Sequence, residues 1–377
     1  MRVTISIMIF FLVLIMAPVY GITIGMSTAL TGPSQDLGLQ LSQTAQLYFS
    51  SSPLPITLIL YDDHYDPAPA LYNTVKFITE DKVDLLYGYL GTAPVTYVLP
   101  LLKCYEQDNI RFFFPFTGAE PQRTPPYNAY TYNFRASYFD ETKALVDLLV
   151  ATGHRRIAIL YQSDPYGRNG WEGVKKALDS HGLPLVAEAT YLRESRFEES
   201  YKAQVRILST QKPDAIIVIG VYAPSAGFIR DCREAGVDIP IANVSFVGAN
   251  DVQKLLKEAH TKRLIFSQVV PNYEDSELPA VMEYKALIQG TSLRPSFVGF
   301  EGFLSAKLLV EILKKVPPPF TKGKLLQVLH DTHTYYLGID SPVQLGDRHR
   351  QGMHQVYFTT IQDGKFVTIK EWSQWQK

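Results

Sequence analysis

From Ile22 onward, short runs rich in β-branched and aromatic residues alternate with longer amphipathic stretches, and this alternation constrains the fold more than any other feature. The runs 22–26, 56–61, 83–87, 111–114, 156–161, 185–191, 214–220, 239–246 and 264–269 read as strands. Between and after them, 37–49, 67–80, 94–107, 141–152, 167–181, 197–210, 223–235, 251–259, 278–288 and 298–315 read as helices. Strands separated by helices of about 10–15 residues build parallel sheets covered on both faces. The run Asp214-Ala215-Ile216-Ile217-Val218-Ile219-Gly220 is apolar without alternation, as a strand buried on both faces requires. The pattern runs twice, over 22–116 and 156–269, which predicts an α/β chain of two doubly wound parallel-sheet lobes. A length of 377 residues agrees, because single cores stop growing near roughly 250–300 residues. Pro317-Pro318-Pro319 ends the last long helix, and Gln362-Asp363-Gly364 between 355–361 and 365–370 predicts a hairpin.

Charge excludes one class of partner. Lys plus Arg is 36 against 37 for Asp plus Glu, so there is no basic surplus to meet nucleic-acid phosphates. Apolar residues are 46% and charged residues 19%, a packed rather than disordered composition. Arg2, the apolar stretch 5–17 and the small exit at Gly21 form an export signal. Its alternative is a retained N-terminal anchor, and either one places the body outside the cytoplasm.

The motifs of catalysis on such sheets are missing. Gly25, Gly32 and Gly38 do not make a dinucleotide loop, and neither a phosphate-cradling loop nor a nucleophile elbow occurs. Cys104 and Cys232 fall in predicted helices of different lobes and read as small buried fillers. His330, His333, His349 and His354 cluster late but lack local partners to complete a metal site. Neither an enzyme nor a bound cofactor or metal is expected.

On open parallel sheets, ligands bind beyond the carboxyl ends of strands. The loops there are Ala29-Leu30-Thr31-Gly32-Pro33-Ser34, Gly88-Tyr89-Leu90-Gly91-Thr92, Phe116-Thr117-Gly118-Ala119, Asp164-Pro165-Tyr166-Gly167 and Gly220-Val221-Tyr222. Amides at a helix start with a hydroxyl beside them can receive a carboxylate, and each tyrosine can cover a ligand and donate one hydrogen bond. Thr92 either does this or merely caps its helix. The candidate ligand-binding residues are Leu37, Thr92, Thr117, Gly118, Tyr166 and Tyr222.

Thr31-Gly32-Pro33, Tyr61-Asp62-Asp63 with Asp66-Pro67, the 114–120 loop, Asn133-Phe134-Arg135-Ala136-Ser137 and Tyr166-Gly167-Arg168 together resemble the branched-chain amino-acid-binding family. These are type I periplasmic solute-binding proteins of ABC importers. The resemblance implies a monomer of two lobes joined by a three-segment hinge, with a small-molecule ligand trapped as the lobes close. Lobe one would comprise 22–136 and 271–350, and lobe two 137–270 and 351–377, with crossings near Ala136-Ser137, 268–271 and 346–352. It also implies delivery of an amino acid, amide or small carboxylate to an inner-membrane ABC permease. A periplasmic sensor subunit for a membrane receptor or kinase is the alternative, and an enzyme on a similar sheet a minor one. Relatives match the ligand carboxylate at Gly91-Thr92 and Thr117-Gly118, and aromatic cover at Tyr166 and Tyr222.

Three departures accompany the resemblance. Where leucine-binding relatives hold the ligand ammonium with an acidic residue, this chain reads Ser245-Phe246-Val247-Gly248-Ala249, with no carboxylate before Asp251. A buried ammonium without a partner is costly, so an α-amino acid is disfavoured. Phe116 adds aromatic bulk where relatives often have small residues, and the cysteines of some relatives match Tyr65 and Gly91.

Overall fold

The computed structural model describes residues 21–274 and 277–370. The expected export segment lies, except for Gly21, outside them. Among the described residues no helix is long and apolar enough to cross a membrane.

The first half runs β1 (Ile22–Thr28), α1 (Gln35–Ser51), β2 (Ile56–Asp62), α2 (Pro67–Thr79), β3 (Leu85–Tyr87), α3 (Thr92–Cys104), β4 (Phe112–Phe113) and β5 (Thr131–Tyr132). Its strands form one parallel sheet in the order β2-β1-β3-β4-β5. The second half runs α4 (Tyr138–Ala151), β6 (Ile157–Gln162), α5 (Pro165–Ser180), β7 (Ala187–Tyr191), α6 (Lys202–Ser209), β8 (Ala215–Ile219), α7 (Tyr222–Glu234), β9 (Ile241–Asn243), α8 (Ala249–Leu255) and β10 (Leu264–Gln268). The chain then adds α9 (Pro279–Ile288), α10 (Phe297–Leu313), α11 (Lys322–His330), a small ribbon of β11 (His333–Tyr335) and β12 (Val343–Leu345), and finally β13 (Tyr357–Gln362) and β14 (Lys365–Thr368). The second sheet has the order β14-β13-β10-β9-β8-β6-β7, parallel except where the last hairpin joins antiparallel at β10.

Local chemistry sets the element ends. Asp66 accepts from Ala68 N with Pro67 in the first turn of α2, and Asp164 accepts from Gly167 N with Pro165 in the first turn of α5. Ser137 and Asp140 form a reciprocal capping box that starts α4 where the chain leaves the first sheet. Asp363 and Gly364 turn the last hairpin with positive φ at both positions. All five residues of β8 are buried, as the unbroken apolar run requires. After β10 the chain returns to the first sheet's side, where Tyr87 Oη lies 2.7 Å from Ser305 Oγ of α10. It crosses once more before β13, and there Asn133 and Gln351 bridge two of the crossing segments.

Four expectations need correction. The strand expected over 239–246 ends at Asn243, and Ser245–Val247 form a turn of 3-10 helix. Ser245 N and Oγ bond to Glu141 at 2.8 and 2.9 Å instead of extending the ladder. Cys104 is exposed rather than a core filler; Cys232 is buried, and both thiols are free. The stretch 197–201 stays outside α6. Lastly, β5, β11, β12 and α11 were not foreseen, being short elements without a long periodic pattern.

Candidate ligand-binding site

In each sheet, consecutive strands flank a central one on opposite sides, leaving a crevice at the strands' carboxyl ends. In the first sheet it lies between β1 and β3, and in the second between β6 and β8. The two crevices face each other, and side chains from both meet between them.

On the first side, Gly91 has φ +89° and turns the chain into α3, and a Cβ there would lie 2.0 Å from the Tyr65 ring. Tyr65 reaches this place because His64 and Tyr65 both have positive φ. Asp63 fixes that turn, accepting from Tyr65 N at 2.9 Å and from Ser27 Oγ at 2.7 Å. Burial pushes the Asp63 carboxyl up to about 7. The Tyr65 ring thus packs on Gly91, the pair of positions where some relatives carry cysteines. Thr92 does not cap α3. Its hydroxyl lies 2.7 Å from that of Thr117, and both residues are buried, at 1% and 0% exposure. Ala119 N donates to Thr117 Oγ1 at 3.2 Å. Gly118 accepts from Tyr138 N at 2.6 Å, and a Cβ there would meet Tyr138 at 2.7 Å.

From the second side, Tyr166 is fully buried and donates its hydroxyl to Gly220 O at 3.1 Å, so only its ring faces the neighbouring aromatics. It packs against Phe246 with centroids 4.7 Å apart and against Tyr138 at 5.2 Å. Phe246 in turn touches Phe116 at 5.5 Å and Tyr65 at 6.2 Å, across the interface between the sheets. Gln162 Nε2 donates to Tyr65 Oη at 3.3 Å, and Arg193 donates to Tyr65 O at 3.4 Å. Burial holds the Tyr65 and Tyr166 phenols well above their ordinary value, so both stay protonated.

The structure therefore brings Thr92, Thr117, Gly118 and Tyr166 together around Tyr138 and Phe246. Leu37 is fully buried and packs where a Cβ on Gly248 would lie, 2.6 Å from its Cδ2. Tyr222 stands apart, at the half-open mouth. It is 8% exposed, accepts from the Asp36 backbone N–H, and borders a groove of about 380 Å³ with Gly32, Pro33 and Leu255. Tyr65, Tyr138 and Arg135 were missed as site residues. Tyr65 and Arg135 lie inside the motifs quoted above, which was the available signal.

The family model of the periplasmic binding proteins matches residues 21–365. The chain belongs to this family. Among solved structures it is similar to a possible leucine/isoleucine/valine-binding protein from Rhodopirellula baltica SH 1, at 28% identity and a TM-score of 0.87, covering 96% of this chain and 100% of that one. It is similar to a substrate-binding periplasmic protein from Ralstonia solanacearum at 25% identity and a TM-score of 0.84, covering 92% of this chain and 99% of that one. A branched-chain amino acid ABC transporter protein from Thermus thermophilus with bound valine shares the fold at 17% identity and a TM-score of 0.82, covering 93% of this chain and 96% of that one. A comparison with the curated proteins matched none of them.

In this family member the polar floor beside the rings is a buried charge cluster. Arg135, 1% exposed, donates through Nη2 to Ser245 Oγ and lies 3.6 Å from Glu141 Oε1. Its Nε is 3.7 Å from Glu301 Oε1, and its guanidinium stacks over Phe116 at 4.6 Å. Glu141 also accepts from Ser267 Oγ at 2.6 Å. Burial outweighs Arg135's attraction at Glu301 and pushes that carboxyl up to about 7. Ser245 thus ties the turn that carries Phe246 to the segment leaving the first sheet.

Proposed function

We propose that this chain is an exported solute-binding protein that captures a small solute between two lobes and hands it to a membrane ABC permease. The lobes are 22–136 with 271–350, and 137–270 with 351–377. Family membership and likeness to the Rhodopirellula protein, which is described as possibly binding leucine, isoleucine or valine, support this reading. One observation carries it: the buried Thr92–Thr117 hydroxyl pair on one sheet faces an aromatic wall built by the other. Two hydroxyls at the start of α3 suit a carboxylate or amide oxygen. The chain acts by binding and release, without catalysis, as a monomer in the periplasm.

Isothermal titration against amino acids, amides and small acids tests this. At least one should bind, and Thr92→Ala should weaken it by about 1–3 kcal/mol. A folded protein that binds none of them would overturn the reading, and an unchanged affinity would remove Thr92 from the site.

A further inference from the structure

Phe246 and its partners define what such a solute can be. Five rings, those of Tyr65, Phe116, Tyr138, Tyr166 and Phe246, form one connected cluster with centroid separations of 4.7 to 6.4 Å. Each of these residues is at most 3% exposed. Phe116 belongs to the first sheet, where it continues the ladder beside Leu90, and Phe246 follows β9 of the second. A solute entering between the lobes must part these two rings. Their uncovered faces are apolar, and closing over a polar or charged body would leave them against a poor partner.

The carboxylates bordering the cluster are already engaged. Glu141 accepts from Ser245 N, Ser245 Oγ and Ser267 Oγ and faces Arg135. Asp164 accepts from Gln162 Nε2 at 2.7 Å and Gly167 N at 3.1 Å. Asp63 holds Ser27 and Tyr65, and Asp251 holds Gln40 at 2.8 Å and Lys254 at 2.7 Å. Asp36 stands with Tyr222 at the mouth, outside the rings. An ammonium among the rings would find no free carboxylate in this set. An aromatic cage can also hold a cation on ring faces alone, but here the Arg135 guanidinium already lies over Phe116.

We propose that the cleft selects a carboxylate with a flat apolar body and no ammonium, an aromatic acid, with Phe116 and Phe246 as the specificity-determining pair. This rests on the solute-binding reading above. Four matched probes separate the two features: L-leucine and 4-methylpentanoate, L-phenylalanine and 3-phenylpropanoate. The expected order has 3-phenylpropanoate tightest. L-Phenylalanine should be weaker by at least about 10-fold, the consequence of burying an unpaired charge. Phe246→Leu keeps the site apolar but removes the ring, and should weaken 3-phenylpropanoate by about 2- to 12-fold.

Tightest binding of either amino acid, or tight binding of glycine betaine added as a caged-cation control, would overturn the inference while leaving solute capture intact. So would 4-methylpentanoate equalling 3-phenylpropanoate, or an unchanged affinity in the Leu variant. Binding of none of these probes while another amide or acid binds overturns the specificity alone. Failure of every solute overturns both readings.

Discussion

Glu301→Gln should make the protein's stability less sensitive to pH in a predictable direction. Glu301 sits on α10, only 5% exposed, with its Oε1 3.7 Å from Arg135 Nε. Burial raises its carboxyl from 4.5 to about 7. A carboxyl with a raised folded-state pKa binds its proton more tightly in the folded than in the unfolded chain. Its contribution is therefore fully present below pH 4.5 and is lost as pH rises through 7. The interval from 4.5 to about 7, at ~1.36 kcal/mol per pH unit, amounts to about 3 kcal/mol. Glutamine mimics the protonated form at every pH, so its own packing cost enters equally at both ends. Urea unfolding of both proteins at pH 4 and pH 8 gives the difference of differences, expected near 3 kcal/mol in favour of the variant at pH 8. Asp63, also raised to about 7, contributes to both proteins and cancels. A variant that loses more stability at pH 8 than at pH 4 would show that ionised Glu301 is held favourably by Arg135, and would refute the reasoning.

Three further outcomes follow from named contacts. Gly91→Ala should cost about 1–3 kcal/mol from backbone strain alone, since Gly91 has φ 89° and ψ 155° and the new Cβ strikes the Tyr65 ring; an unchanged urea midpoint would deny that packing. Arg135→Met should cost about 3–5 kcal/mol by leaving Glu141 without its buried partner, and a loss below about 1 kcal/mol would place the cluster's stability elsewhere. Maleimide should label the native protein once, at exposed Cys104, and twice in denaturant, because Cys232 is buried with its thiol pushed up to about 12; two labels on the native protein would contradict this.

How far the sequence could be read depended on the range of the forces at each place. The unbroken apolar run at 215–219 identified β8, because burial on both faces is written into residue type. Thr92, Thr117 and Tyr166 were legible as well, since loops after parallel strands are where such sheets bind. Phe246 was read as strand because the turn at Ser245 is imposed by Glu141, 104 residues earlier in the chain. Tyr65 points inward because two consecutive residues that are not glycine take positive φ, held by a buried aspartate. Local propensity carries no sign of that. Tyr222 was placed with Tyr166 by analogy of position, whereas the first turn of α7 leaves it at the mouth beside Asp36.

The buried charges also indicate which contacts lobe opening would break. Arg135 Nη2 is held by Ser245 and lies near Glu141, both on the second-sheet side, while its link to Glu301 is a longer 3.7 Å approach. Arg135 should then travel with the second lobe, and opening parts it from Glu301 and Phe116. The remaining losses are Phe246 from Phe116 and Tyr65, and Gln162 from Tyr65. Ring pairs contribute about 0.5–1.5 kcal/mol each and the stacked guanidinium about as much or somewhat more. A closed state held by a few such terms lies only a few kcal/mol from an open one, so a solute need supply only modest differential binding to shift the balance. Because those terms are mostly ring faces, the solute that replaces them best is one that presents a ring face of its own.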